Sequence, residues 1–147
     1  METKQTTTTA EPMFQIHSSV GRSPTMEGFE FAVQIILMNK SLYIWVGTGD
    51  ARSQSMNNLT AALTSRSTTY KKTTPSVATI FEGGVADDSS SFAEGLAQRI
   101  CQRTGQVAFV SYNLPVTSTP DEALLMEVER VASELIKKVA HGDNETA

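Results

Sequence analysis

Phe29, Phe31, Val33, Ile35 and Leu37 recur at every second position. A period of two places them on one side of an extended chain, so this segment predicts a strand. Asn39-Lys40 supplies a two-residue hairpin turn, and SLYIWVG predicts the next strand, its β-branched and aromatic residues suited to a pleated surface. Upstream, FQIHSSV alternates enough for a strand of its own, followed by a turn in the Gly- and Pro-bearing GRSPTMEG. NNLTAAL suits a short helix by propensity and a strand by alternation; the strand is the expectation. SVATIF predicts one more short strand, set between two polar loops, SRSTTYKKTTP and EGGVADDSSS.

The period then changes. Phe92, Leu96 and Ile100 fall at i, i+4 and i+8 with Ala93 and Ala97 beside them, one apolar stripe on a helix. Ser89, Ser90 and Ser91 are candidate N-caps, Asp87 and Asp88 suit the positive N-terminal end, and Gly105 is the expected stop. VAFVSYNL predicts a strand that Pro115 ends. Ser118 or Thr119 can cap a last helix with Pro120 in its first turn, and Leu124, Leu125, Val128, Val131, Ala132, Leu135 and Val139 mark its buried side. The order β-β-β-β-β-α-β-α predicts an α+β domain: an antiparallel sheet of about six strands with two helices packed on one face. Residues 1–12, with a four-threonine tract, read as a disordered tail, 13–140 as the single domain, and 141–147 as a flexible C-terminus.

An antiparallel sheet with one solvated face shows clean alternation of apolar and polar residues. This chain does not. Ala32, Ile36 and Met38 lie opposite the Phe31 set, beside Gln34; Tyr43 and Trp45 lie opposite Leu42, Ile44 and Val46; Val107 and Phe109 lie opposite Ala108, Val110 and Tyr112. Both faces of the sheet are therefore largely apolar, and two helices with one stripe each cover only one. A wet apolar face of that size is an aggregation hazard, so a second sheet from a partner subunit is expected to cover it.

Composition adds limits. The chain has 147 residues, a net charge of −4 and a pI of about 5.1, a balance that argues against the dense cationic footprint of a nucleic-acid binder. A lone cysteine, Cys101, forms no intramolecular disulfide. With no apolar run of signal-peptide or membrane-spanning length, the expected location is the cytoplasm, with the nucleus open as well. Two glycosylation sequons, at Asn58 and Asn144, are read as chance matches.

The search for chemistry returns little. Gly47-Thr48-Gly49-Asp50-Ala51-Arg52 begins like a dinucleotide fingerprint, but Arg52 stands where the third glycine belongs, and a turn is the expectation. His17 and His141 lack a second ligand at metal spacing. Cys101 follows Ile100 on a helix with no base in view, which suits a structural thiol. No catalytic residue, metal site or cofactor site is assigned. Tyr43 and Trp45 share a strand face and are either interface anchors or core.

Three stretches carry a resemblance: SLYIWVG; Gly95-Leu96-Ala97-Gln98-Arg99-Ile100; and Phe109-Val110-Ser111-Tyr112-Asn113-Leu114 with the preceding Gln106-Val107. In sequence and order they resemble the proteasome assembly chaperone four family, over about residues 14 to 139. The resemblance implies a non-enzymatic α+β chaperone without a cofactor. It would pair with a related subunit, proteasome assembly chaperone three, and the heterodimer would assist assembly of the α-subunit ring of the core proteasome and then leave. The loops at SRSTTYKKTTP and EGGVADDSSS and the threonine-rich tail depart from the family pattern. Tyr43, Trp45, Gln98, Arg99, Tyr112 and Asn113 are the candidate partner-binding residues, with an exposed helix face as the plain alternative for Gln98 and Arg99 and a strand-end turn for Asn113. A dimeric scaffold subunit of another cytosolic complex is the alternative function, and a small enzyme using Cys101 or His17 a third.

Overall fold

The computed structural model describes residues 14–48, 56–64, 74–83, 89–114 and 122–142. The expected tail, most of the two polar loops, the glycine segment beyond Thr48, the cap at 118–121 and the last five residues lie outside them.

Six strands and two helices follow the expected order: β1 (Gln15–Arg22), β2 (Glu30–Met38), β3 (Ser41–Thr48), β4 (Asn58–Leu63), β5 (Ser76–Glu82), α1 (Ser89–Thr104), β6 (Val107–Tyr112) and α2 (Glu122–Gly142). The β2–β3 turn is tight because Lys40 takes a left-handed conformation, φ 60°. Gly105 likewise has φ 69°, and its N–H closes α1 onto the Cys101 carbonyl at 2.9 Å.

The strands form one sheet in the order β1-β2-β3-β6-β4-β5. The sheet is mixed where the sequence predicted it antiparallel, because β3 and β6 run parallel. The cause is the connection: β6 follows β5 through α1 rather than through a hairpin. A helical crossover returns the chain in its original direction, which a two-residue turn cannot do. β6 thus enters between β3 and β4, parallel to the first and antiparallel to the second.

Both helices lie on one face. Phe31, Val33 and Ile35 of β2, Leu42, Ile44 and Val46 of β3, and Ala108 and Val110 of β6 form one buried cluster with Ala93, Leu96, Ala97 and Ile100 of α1 and Leu124, Val128, Ala132 and Leu135 of α2. The helices are tied to each other by charge. Glu129 of α2 receives Arg99 Nε at 2.7 Å and Arg103 at 3.0 Å from α1, and Arg103 also donates to the Ser133 hydroxyl at 3.0 Å.

Two asparagines hold β6 in place. The β4–β6 register runs from Thr60↔Val110 to Ala62↔Ala108. Beyond it the buried Asn58 side chain stands in for a strand: its Nδ2 donates to the Tyr112 carbonyl at 2.6 Å and its Oδ1 accepts the Tyr112 N–H at 2.9 Å. Asn113 links the other way, Nδ2 donating to the Val46 carbonyl of β3 at 3.2 Å while Oδ1 accepts the Asn57 N–H at 2.7 Å. Asn58 is fully buried and its amide is engaged, so its sequon has no glycan acceptor in the folded chain. Cys101 is buried in the α1 stripe. Burial pushes its thiol above the usual value, offset only in part by hydrogen bonding to Thr64. Among the described residues no three His, Cys, Asp or Glu converge as a metal site, and no helix is long and apolar enough to cross a membrane.

Two expectations follow. Asn58→Ala strands the Tyr112 N–H and carbonyl and lowers the unfolding free energy by about 2–3 kcal/mol, measured by chemical denaturation; an unchanged midpoint would show that the carboxamide is dispensable. Cys101 stays inert to a thiol reagent near about pH 8 in the native chain and reacts at full rate in denaturant; rapid native labelling would contradict its placement in the core.

Candidate interaction face

The register fixes what the helix-free face displays. Ile16 pairs with Ile36, Ile36 with Tyr43, Tyr43 with Phe109, Phe109 with Ala61 and Ala61 with Ala78. These six residues form one row across all six strands. Side chains of a strand alternate in direction, and the neighbours of Ile36, Tyr43 and Phe109 pack in the helix-side core, so the row points away from the helices. Ile36, Tyr43 and Phe109 are half-buried, and Ile16 is 65% exposed. Val20 and Leu63, also exposed, extend the apolar surface on the same face.

Trp45 lies one row along, opposite Gln34 on one side and Ser111 on the other. Its ring covers Gly47, where a Cβ would come within 2.2 Å of the indole. This close approach brings Trp45 down to 7% exposure, so it forms part of the floor of the face rather than a free anchor. Tyr43 is more available. Burial raises its phenol above the ordinary value, and a side-chain hydrogen bond with Ser111 lowers it in part. Ser111 is fully buried and also accepts Asn113 Nδ2 at 3.0 Å. None of these residues is charged. At one corner of the face, Arg22 and Glu30 approach to 3.4 Å.

The six candidate residues do not form one site. Tyr43 and Trp45 meet on the open face, and Asn113 borders it through Ser111. Tyr112 points the other way, 3% exposed in the helix-side core, its ring centroid 5.8 Å from that of Phe92. Gln98 donates to the Pro75 carbonyl at 3.2 Å, joining α1 to the start of β5, and Arg99 is spent on Glu129. The helix-face reading of Gln98 and Arg99 thus has concrete structural partners. Ile16, Ile36 and Phe109 were not among the candidates. Ile36 and Phe109 carry a signal, as apolar residues out of phase with the core set, but only the register aligns them with Tyr43.

A largely apolar sheet face, charged among the described residues only at the Arg22–Glu30 corner, can bind a complementary surface. The comparisons agree on a family. The family model for proteasome assembly chaperone 4 matches residues 30–114, which takes in β2 through β6. Human proteasome assembly chaperone 4 is 34% identical over 101 residues, 69% of this chain and 71% of that protein. Its mouse counterpart is 31% identical over the same length, with the same coverage. Among solved structures, a chain from the crystal structure of a chaperone complex for yeast 20S proteasome assembly aligns with a TM-score of 0.51, covering 92% of this chain and all of that one. At 16% identity it shows the shared fold. With a family model spanning more than half its length and taking in five of the six strands of the open sheet face, the chain belongs to the proteasome assembly chaperone 4 family.

Proposed function

We propose that this chain is one half of a heterodimer with a proteasome assembly chaperone 3-like subunit, and that the pair assists assembly of the α-subunit ring of the core proteasome without catalysis or a cofactor. The observation that carries the reading is the apolar row from Ile16 to Ala78, which crosses the whole sheet on the face the helices leave open. A partner sheet is the natural cover for it. Two sheets pack face to face about 10 Å apart with interdigitating side chains, and a row spanning six strands supplies the width for such a contact. Family membership supports the proteasome as the client, and the acidic charge and Cys101 held as a buried thiol suit the cytoplasm or nucleus.

The mechanism is surface complementarity. The heterodimer holds α subunits in a productive arrangement and leaves when the growing particle binds it less well than the intermediate did. Only such a difference in affinity between two states of the assembly can drive release.

Affinity purification of the tagged chain, with mass spectrometry of its companions, is expected to return proteasome α subunits and one small related protein, with mature proteolytic particles scarce. Ile36→Arg places a cation in the middle of the row and is expected to weaken capture of the small partner by at least about 100-fold, since an unpaired charge cannot be buried there. Isolated wild-type chain that stays a monodisperse monomer at high concentration and captures neither protein would contradict the reading.

A further inference from the structure

A pocket of about 210 Å³ opens between the C-terminal ends of the two helices. Ile100 of α1 and Ile136 and Ala140 of α2 give it an apolar lining, and Arg103, Ser133 and Lys137 stand at its rim. Drug-sized ligands and cofactors fill about 300–1,000 Å³, so this space suits a single bulky aliphatic or aromatic side chain. The charge around it has one sign. Glu129 answers two guanidiniums, Arg99 at 2.7 Å and Arg103 at 3.0 Å, so that group keeps one uncompensated positive charge. Lys137 adds a second and has no ion-pair partner among the described residues.

The topology gathers further cations at the same end. Both helices finish there, and β6 starts there, its Val107 N–H donating to the Lys40 carbonyl of the β2–β3 turn at 3.3 Å. Lys40, Arg103, Lys137 and Lys138 therefore share one end of the domain. The described carboxylates lie elsewhere: Glu30 and Glu82 at the far ends of β2 and β5, Glu27 in the turn before β2, Glu94 early in α1, and Glu122 and Glu127 early in α2. Glu134, one turn before Lys137 and Lys138, is held by Arg130 at 2.7 Å. A chain of net charge −4 thus presents a locally cationic end. Exposed ion pairs add little affinity one by one, but a patch of one sign steers an opposite charge and sets its alignment. A pocket beside the patch supplies the buried anchor that the charges lack.

We infer that this pocket docks an acidic segment of a protein client: one bulky apolar side chain enters between Ile100, Ile136 and Ala140, and a neighbouring carboxylate meets Lys137 and Arg103. The pocket lies on the helix layer, so it leaves the open sheet face to the related subunit and both are held at once. That the client is a proteasome α subunit rests on the function proposed above. The chemistry of the segment rests on the pocket.

The test uses the full chain bound to its related small subunit and reads capture of purified proteasome α subunits. Lys137→Glu reverses the charge at the rim, and Ala140→Trp fills the pocket from an exposed helix position. Each is expected to lower capture by about tenfold or more while binding of the small subunit is unchanged. Lys138→Glu makes the same charge change beside the pocket and is expected to lower capture by less than about threefold. Thermal melts check that each variant is folded. Equal losses from Lys137→Glu and Lys138→Glu, with none from Ala140→Trp, would reduce the feature to general charge and overturn the inference. A loss confined to self-association of the isolated chain would make a second copy the occupant and overturn it too. If the wild-type complex captures α subunits and no variant changes that, only the inference fails; if the wild-type complex captures none, the proposed function fails and the inference with it.

Discussion

Two helices cannot cover a six-stranded sheet whose two faces are both apolar. The rest of the molecule follows from that mismatch. On the helix side, Phe31, Val33, Ile35, Ile44, Val46 and Val110 are sealed from water, and each large apolar side chain so buried contributes roughly 1.5–3 kcal/mol. On the other side, Ile16, Ile36, Tyr43 and Phe109 are held in line with only their strand neighbours beside them. The same physics that closes the first face makes the second adhesive, and the absence of charge along the row makes it adhesive to another apolar sheet rather than to a charged surface.

The row exists because of how β6 is inserted. Without the α1 crossover, β3 and β4 would have no strand between them, and Phe109 would not bridge Tyr43 to Ala61. The insertion is secured where the β4–β6 backbone register ends, by Asn58 on one side and Asn113 on the other. Their carboxamides satisfy backbone groups that would otherwise be stranded at strand ends. Local polar chemistry therefore sets the alignment of an apolar surface.

Much of this was legible in the sequence, and the limits have physical causes. Element order could be read because the period switches cleanly from two, at Phe31 to Leu37, to the helical spacing of Phe92, Leu96 and Ile100. The direction of β6 could not, since alternation is the same in parallel and antiparallel strands. That both faces are apolar could be read from Ile36, Tyr43, Trp45 and Phe109. Which of them share a row could not, because pairing register is a tertiary property. Tyr43 entered the candidates on those grounds. Gln98, Arg99, Tyr112 and Asn113 came from motif resemblance, which does not separate residues that hold the fold from residues that meet a partner. In the structure all four have intramolecular work to do: on Pro75, on Glu129, against Phe92, and on Val46 with Asn57.

Side-chain footprinting by hydroxyl radicals, comparing the isolated chain with its purified complex, tests the covered sheet face most directly. Met126 of α2, 72% exposed on the helix layer, serves as the internal reference. Ile16, Ile36, Tyr43 and Phe109 are predicted to lose labelling together in the complex while Met126 keeps it. Protection of Met126 with the sheet row still labelled would place the partner on the helices and contradict the account.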